Sequence, residues 1–446
     1  MPDTPSVVTG NRRFRRFAPW AAAAAVLVGS VAAFAYIDEN SWLTPEHPAI
    51  DYNNAPMEDP VAQFERRMQS GQAKLEWDAK GWGYLPSLLK NLGINTDSQI
   101  LVFSKTSFQA SRISPDAPRA LYFNDQVAIG SVQGGEVLEI VAQDPKKGMV
   151  FYTLDIHKSS NPGFARRDVC LQCHQSPATM GIPGIFIGSV YPSPSGLPAF
   201  KAGMSATDHR TPFDQRWGGW YVTGTHGSQM HIGNAMAPDA SRPGVLELRG
   251  SQNVTSLARK FDTRPYLQPT SDLVALMTME HQTRMTNLMT RVGWEARIAE
   301  YDHKYDVATR DKIQSTIEEM IGYMLFTDES RLREPVEGVS TFTKTFPQRG
   351  PRDQKGRSLR DFDLQTRLFK YPLSYMIYTP AFDALPDSVR QVVYRRMYEV
   401  LTGKDTSGKF ARLTPTDRQA VLEILRDTKT NLPEYYKVSA MQAGMR

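Results

Sequence analysis

The sequence predicts an α+β fold: an antiparallel β-rich N-terminal half, a Gly/Pro/aromatic-rich region, then a mainly helical C-terminal half. Three observations carry this. Short runs rich in Val, Ile, Phe and Tyr follow one another between residues 99 and 156, separated by turn clusters such as "SPDAP", "QGG" and "DPKKG". Residues 176–250 hold so many Gly and Pro that long helices are not expected there. From about Thr270 onward, apolar residues recur at helical spacing over long segments.

Taken in order, "NRRFRRF" places four arginines ahead of an uncharged run over residues 17–37. A basic stretch before an apolar segment of bilayer length predicts export. Residues 1–16 then form a cytoplasmic tail, and 17–37 a transmembrane helix or, with "AFA" at 33–35 as cleavage site, a signal peptide. The expected location is the periplasmic side of a bacterial inner membrane, with soluble periplasmic protein after cleavage as the alternative. Residues 38–75 read as a linker rich in Pro, Asn and acidic residues that ends in a short helix over 61–75. Residues 76–160 form a β-rich subdomain opened by a short helix in "YLPSLLKNLGI".

Residues 161–250 follow, with a short helix expected over Phe164–Gln175. In the helical subdomain at 251–335, "SDLVALMTMEHQTRMTNLMTRVGWEARIAEY" predicts a long amphipathic helix capped by Ser271 or Asp272. "RDKIQSTIEEMIGYMLF" predicts another. Residues 336–446 comprise a basic, Gly- and Pro-bearing loop and then two helices, "SVRQVVYRRMYEVLTGK" and "TPTDRQAVLEILRDTK". The net charge of +5 is modest and owes much to the N-terminal arginines. No basic block interleaved with aromatics follows them, so nucleic-acid binding is not indicated.

The chemistry concentrates in "RRDVCLQCHQSP". Cys170 and Cys173 are the only cysteines in 446 residues, and His174 follows at once. A structural zinc site needs four ligands; only His226 and His231, spaced H-x4-H, offer a second pair. A thioredoxin-like pair gives His174 no role and needs a βαβ context that the flanks lack. Covalent haem attachment through C-x-x-C-H accounts for all three residues. Thiols three apart share one helical face and reach two vinyl groups, and the next residue presents its imidazole to the iron. Residues 161–250 are accordingly the expected haem c attachment region, with one haem and His174 as proximal ligand. Export fits this reading, because c-type haem is attached outside the cytoplasmic membrane.

The sixth iron position decides between electron transfer and ligand chemistry. His231 and His226, in the Gly-flanked "THGSQMH", are the first candidates, His281 the next, and a methionine the third. His281 shares a helical stripe with Met277, Met285 and Met289, a pattern that also suits core packing. Arg166, Arg167, Arg210 and Arg216 are candidate partners for haem carboxylates, and Trp217, Trp220 and Tyr221 candidate pocket walls.

"CLQCH", with "SKTSFQ", "ISPDAPRALYFNDQVAIG" and "VLEIVAQDPKKGMVFYTLD" upstream and "TDHRTPFDQRWGGWYVTGTHG" and "GRSLRDFDLQTRLFKYPLSYMIY" downstream, resembles a group of large bacterial monohaem cytochrome c domain proteins. The resemblance covers most of the chain after about residue 95. It implies covalent haem, an exported location and a redox function, with a protein or small molecule as electron partner. It carries over onto Cys170, Cys173 and His174. Length and β content depart from the small cytochromes, so their methionine ligation does not transfer. The functions in view are electron transfer, a haem-dependent oxidoreductase of peroxidase or oxygenase type, and a haem-based sensor or binding protein.

Overall fold

A computed structural model describes residues 42–437. Its centre is a seven-stranded sheet in the order β6-β5-β4-β3-β2-β1-β9. The strands are β1 (Ile100–Val102), β2 (Arg119–Phe123), β3 (Val127–Ser131), β4 (Val137–Asp144), β5 (Gly148–Asp155), β6 (Phe164–Arg166) and, after the hairpin β7 (Ile187–Val190) and β8 (Met204–Thr207), β9 (Trp220–Tyr221). Neighbours pair antiparallel throughout, for example Ile129 with Ile140 and Ile140 with Tyr152. The expected antiparallel half and helical half are therefore both present.

Alternation along the strands sorts side chains into two cores. One face sends Tyr122, Ile129, Ile140 and Tyr152 against α1 (Pro60–Gln69) and α2 (Leu85–Asn91). The opposite face sends Phe123, Ala128, Met149 and Phe151 against α4 (Leu273–Tyr301), which follows the short α3 (Leu171–His174). The helix α4 crosses the hairpin turns of the sheet. Gln282 donates to the Asn124 carbonyl at 2.6 Å, and the Trp294 indole donates to that of Lys146 at 3.1 Å. The far half of this face is covered less: Arg119 and Leu121 on β2, and Glu139 and Val141 on β4, are only half-buried.

The helix α4 is buried on all sides rather than amphipathic. It starts at Asp272, whose Oδ1 accepts from the amides of Val274 and Ala275 while Oδ2 accepts from Ser340 N–H. Around it pack α5 (Val307–Met324), α6 (Phe342–Gln348), α7 (Asp387–Leu401) and α8 (Pro415–Thr428). The short α6 falls where the sequence predicts a loop.

The segment read as a linker is anchored from its described start. Tyr52 is buried and donates to the Met149 carbonyl at 2.7 Å, and the Lys147 ammonium donates to the carbonyls of Asp51, Tyr52 and Ala55. Residues from Trp42 onward form one compact unit, without breaks at the expected subdomain boundaries. The transmembrane helix is corrected: no helix among the described residues is long and apolar enough to cross a membrane, and the 17–37 segment lies outside them.

Candidate functional site

The expected helix over Phe164–Gln175 is instead a strand, a 3-10 turn and one turn of α-helix. Edge strand β6 pairs with β5, and Arg167 then ties the chain back onto that strand. Its amide donates to the Phe151 carbonyl at 2.8 Å and its Nε to Thr153 Oγ1 at 2.9 Å. The 3-10 turn Asp168–Cys170 and α3 follow directly. Both thiols are free, with Cys173 exposed and Cys170 half-buried.

Burial, with the Glu139 carboxylate nearby, pushes the Cys170 thiol up to about 11, and burial also raises that of Cys173. A thiol–disulfide catalyst needs the opposite, an electropositive setting that lowers the pKa. The redox-dithiol reading is therefore disfavoured by the site itself.

His174 is held by its neighbours on the following loop. Its Nδ1 lies 3.1 Å from the Gly184 carbonyl, which accepts the ring proton, and its own carbonyl accepts from the Gly184 amide at 2.8 Å. Nε2 has no hydrogen-bond partner among the described residues. The ring packs against Phe151 at 4.9 Å, with Phe186 at 6.5 Å. Burial lowers its pKa to about 4, so the imidazole is neutral at physiological pH. A neutral ring with Nδ1–H fixed on a backbone carbonyl and Nε2 unengaged is the tautomer a metal-ligating histidine adopts.

The clamp is set from α4. Asn287 Oδ1 accepts from Ile185 N–H at 3.3 Å and Nδ2 donates to the Ile185 carbonyl at 2.9 Å. A Cβ on Gly184 would meet Asn287 Oδ1 at 2.3 Å, so glycine is required for this approach. Replacing Asn287 by alanine removes both hydrogen bonds of a buried loop. The expected cost is about 2–3 kcal/mol in urea denaturation, together with weaker protection of the Ile185 amide in hydrogen exchange.

Two further groups bear on the motif. The Glu139 carboxylate and Arg119 guanidinium, paired at 2.7 Å, both act electrostatically on His174, and Glu139 acts on Cys170 as well. Ser107 and Gln109 donate to the other carboxylate oxygen of Glu139. They stand on the half of the sheet face that α4 leaves half-covered. Exposed Phe108, between Ser107 and Gln109, and exposed Val169, beside Cys170, add apolar surface near this region. Two thiols and one imidazole are the donor set that C-x-x-C-H haem attachment needs, and the half-covered face beside them carries Leu121 and Val141 as well as the Arg119–Glu139 pair.

The other expected histidines are placed elsewhere, His226 and His281 with both ring nitrogens engaged and His231 with one. His226 Nδ1 lies 2.6 Å from the Gln229 carbonyl, and its Nε2 accepts from Asn253 N–H at 2.9 Å. His231 Nδ1 accepts from Gly233 N–H at 3.0 Å, and its ring lies 4.7 Å from that of His226. His281 Nδ1 is 2.8 Å from His209 Nδ1 and its Nε2 2.7 Å from Ser374 Oγ. None of the three rings contacts His174. Met277, Met285 and Met289 are core residues.

The expected arginines have partners too. Arg166 donates to Tyr52 and Asn53 carbonyls, Arg210 pairs with Asp208, and Arg216 is buried against Glu280. Trp217, Trp220 and Tyr221 are buried, the last two on the edge strand opposite β6. The zinc alternative finds no support in the geometry: among the described residues no group of three or more His, Cys, Asp or Glu is placed to hold a metal ion.

Gly184, Asn287, Arg119 and Glu139 are the residues that sequence reasoning missed. "GIPGIF" soon after the motif was the available hint for Gly184. No protein-family model, curated protein or solved structure matches the chain.

Proposed function

We propose that the chain is an exported c-type haem protein with a redox function, matured in the periplasm, with haem c bound through Cys170 and Cys173 and His174 as the axial ligand. The observation that carries this is one turn of chain presenting two free thiols and a neutral histidine whose Nδ1 is pinned and whose Nε2 is unengaged. When bound, such a group supplies one-electron chemistry and a site for small ligands. Cys170 and Cys173 fix its position, and the Gly184 carbonyl orients His174 and raises its basicity. The Arg119–Glu139 pair would set the charge beside it, and Arg119 would supply a cation for a haem carboxylate.

The engaged nitrogens of His226 and His281, and a His231 ring whose Nδ1 accepts from Gly233 N–H and so keeps its proton on Nε2, favour a sixth position left open to exogenous ligands, since each ring would have to give up a hydrogen bond or a proton to reach iron. That arrangement suits an oxidoreductase or a ligand-binding protein more than a pure electron carrier.

The test is expression with the haem-attachment machinery, acid–acetone extraction, and spectra of the reduced protein with and without CO. Haem should resist extraction, and CO should shift the Soret band at once. Haem fully extracted into acetone would overturn the assignment. Retained haem with a spectrum unmoved by CO would instead put a strong protein ligand in the sixth position and make electron transfer the function.

A further inference from the structure

A second site lies behind the loop that holds His174. A cavity of about 130 Å³ opens between that loop, β8 and α4, its lining including the apolar Ala178, Ile185 and Phe186 and the charged Asp208, Arg210 and Arg284. A void of about 150 Å³ accommodates benzene, so this one takes a ligand of about six heavy atoms or fewer. The side chains of Arg210 and Arg284 are 32 % and 23 % exposed, which puts the mouth at the charged end.

The donor capacity left over is of one kind, because the Thr207 and Thr283 hydroxyls of the lining already donate to the carbonyls of Ile187 and Glu280. Asp208 is engaged by Arg210, accepting from its amide, Nε and Nη2. Asn287 spends its side chain on Ile185. Arg284 Nη2 donates to Glu319 at 2.6 Å, but its buried Nε has no acceptor among the described residues. Arg210 Nη1 reaches Glu319 only at 3.7 Å. Spare donors on two guanidinium groups, in a cavity also lined by Ala178, Ile185 and Phe186, call for an acceptor on a short hydrocarbon.

We propose that this cavity binds a short aliphatic monocarboxylate, its carboxylate on Arg284 and Arg210 and its alkyl end against Ile185 and Phe186. A planar guanidinium takes a carboxylate in paired hydrogen bonds, which gives the site its selectivity. Glu319, a part-exposed carboxylate on α5, accepts from Arg284 Nη2 and so competes with the ligand for that guanidinium. The ligand takes over the Arg284 donors as Glu319 swings outward. The site stands whether or not haem is bound at His174.

Titration calorimetry of the full chain with sodium propionate tests this, using propionamide and sodium chloride as controls. Propionate should bind saturably in the millimolar range or tighter, and propionamide at least about tenfold more weakly. Arg284→Met should weaken propionate binding by at least about tenfold, and Glu319→Gln should strengthen it severalfold by removing the competitor. The proposal is overturned if propionate gives no saturable heat, if propionamide binds equally well, if folded Arg284→Met binds like the wild type, or if Glu319→Gln binds no tighter. The Glu319 variant changes only a part-exposed side chain and keeps the test decisive should Arg284→Met fail to fold.

Discussion

On the proposed attachment, replacing Cys170 and Cys173 together by alanine should abolish covalent haem, while each single replacement should leave one thioether in place. After co-expression with the attachment machinery, the double variant should give no haem stain on a denaturing gel and release all its pigment into acid acetone. Each single variant should keep bound haem with one unreacted vinyl group, whose conjugation moves the α band of the pyridine haemochrome to longer wavelength. The three-residue spacing requires this, because each thiol serves a different vinyl group of one ring.

Fold stability should hardly change in these variants. Cys173 is exposed, Cys170 half-buried, and neither thiol is in a disulfide, so no cross-link is lost. His174→Ala separates attachment from ligation: the thioethers should still form, and the spectrum should lose its imidazole-ligated character. If the double cysteine variant retains haem through acid–acetone, the attachment assignment is wrong.

What the sequence revealed of this site, and what it hid, follows from the range of the interactions. C-x-x-C-H stands out in the sequence because the whole pattern lies within five residues. The strands between residues 99 and 156 are readable because they alternate between two cores. The clamp on His174 is not, since Asn287 lies 102 residues from the Ile185 backbone it holds. Neither is the Arg119–Glu139 pair, which becomes a neighbour of the motif only when β6 folds back along β5.

The misread elements share this cause. The Pro- and Asn-rich segment before α1 looks like a linker until Lys147 gathers its carbonyls from 92 to 96 residues away. The polar residues of α4 suggest a solvent face, yet Glu280 and Arg291 are buried against the charges of Arg216 and Glu295. Composition records charge, and only tertiary structure shows how that charge is neutralised.

The pair of Arg216 and Glu280 supports the largest stability effect expected in the molecule. Arg216 is 3 % exposed and Glu280 fully buried, with Nη1 and Oε2 3.2 Å apart. The same guanidinium donates to the carbonyls of Thr211 and His209. Burial pushes the Glu280 carboxyl up to about 7 even with the cation beside it, and that of Glu329, which also feels Arg216, to about 7. Because the folded value lies above the unfolded one, the protonated acid stabilises the fold fully below about pH 4.5. That contribution is lost as pH rises through about 7.

Arg216→Leu removes the cation and leaves the acid in the core. At pH 8 the expected loss is about 3–5 kcal/mol in urea denaturation, the usual cost of breaking a buried pair from one side. At pH 5.5 Glu280 is protonated in both proteins, and the loss should shrink to what the two orphaned carbonyls cost, about 1–3 kcal/mol. Arg216→Leu with Glu280→Leu exchanges the pair for apolar volume and should recover most of the pH 8 loss. The remaining deficit should shrink on acidification, as Glu329 takes up its proton, to the cost of the two orphaned carbonyls. A double variant as unstable at pH 8 as Arg216→Leu alone would show that the arginine acts through its carbonyl contacts, and that the buried charge of Glu280 is not what makes it indispensable.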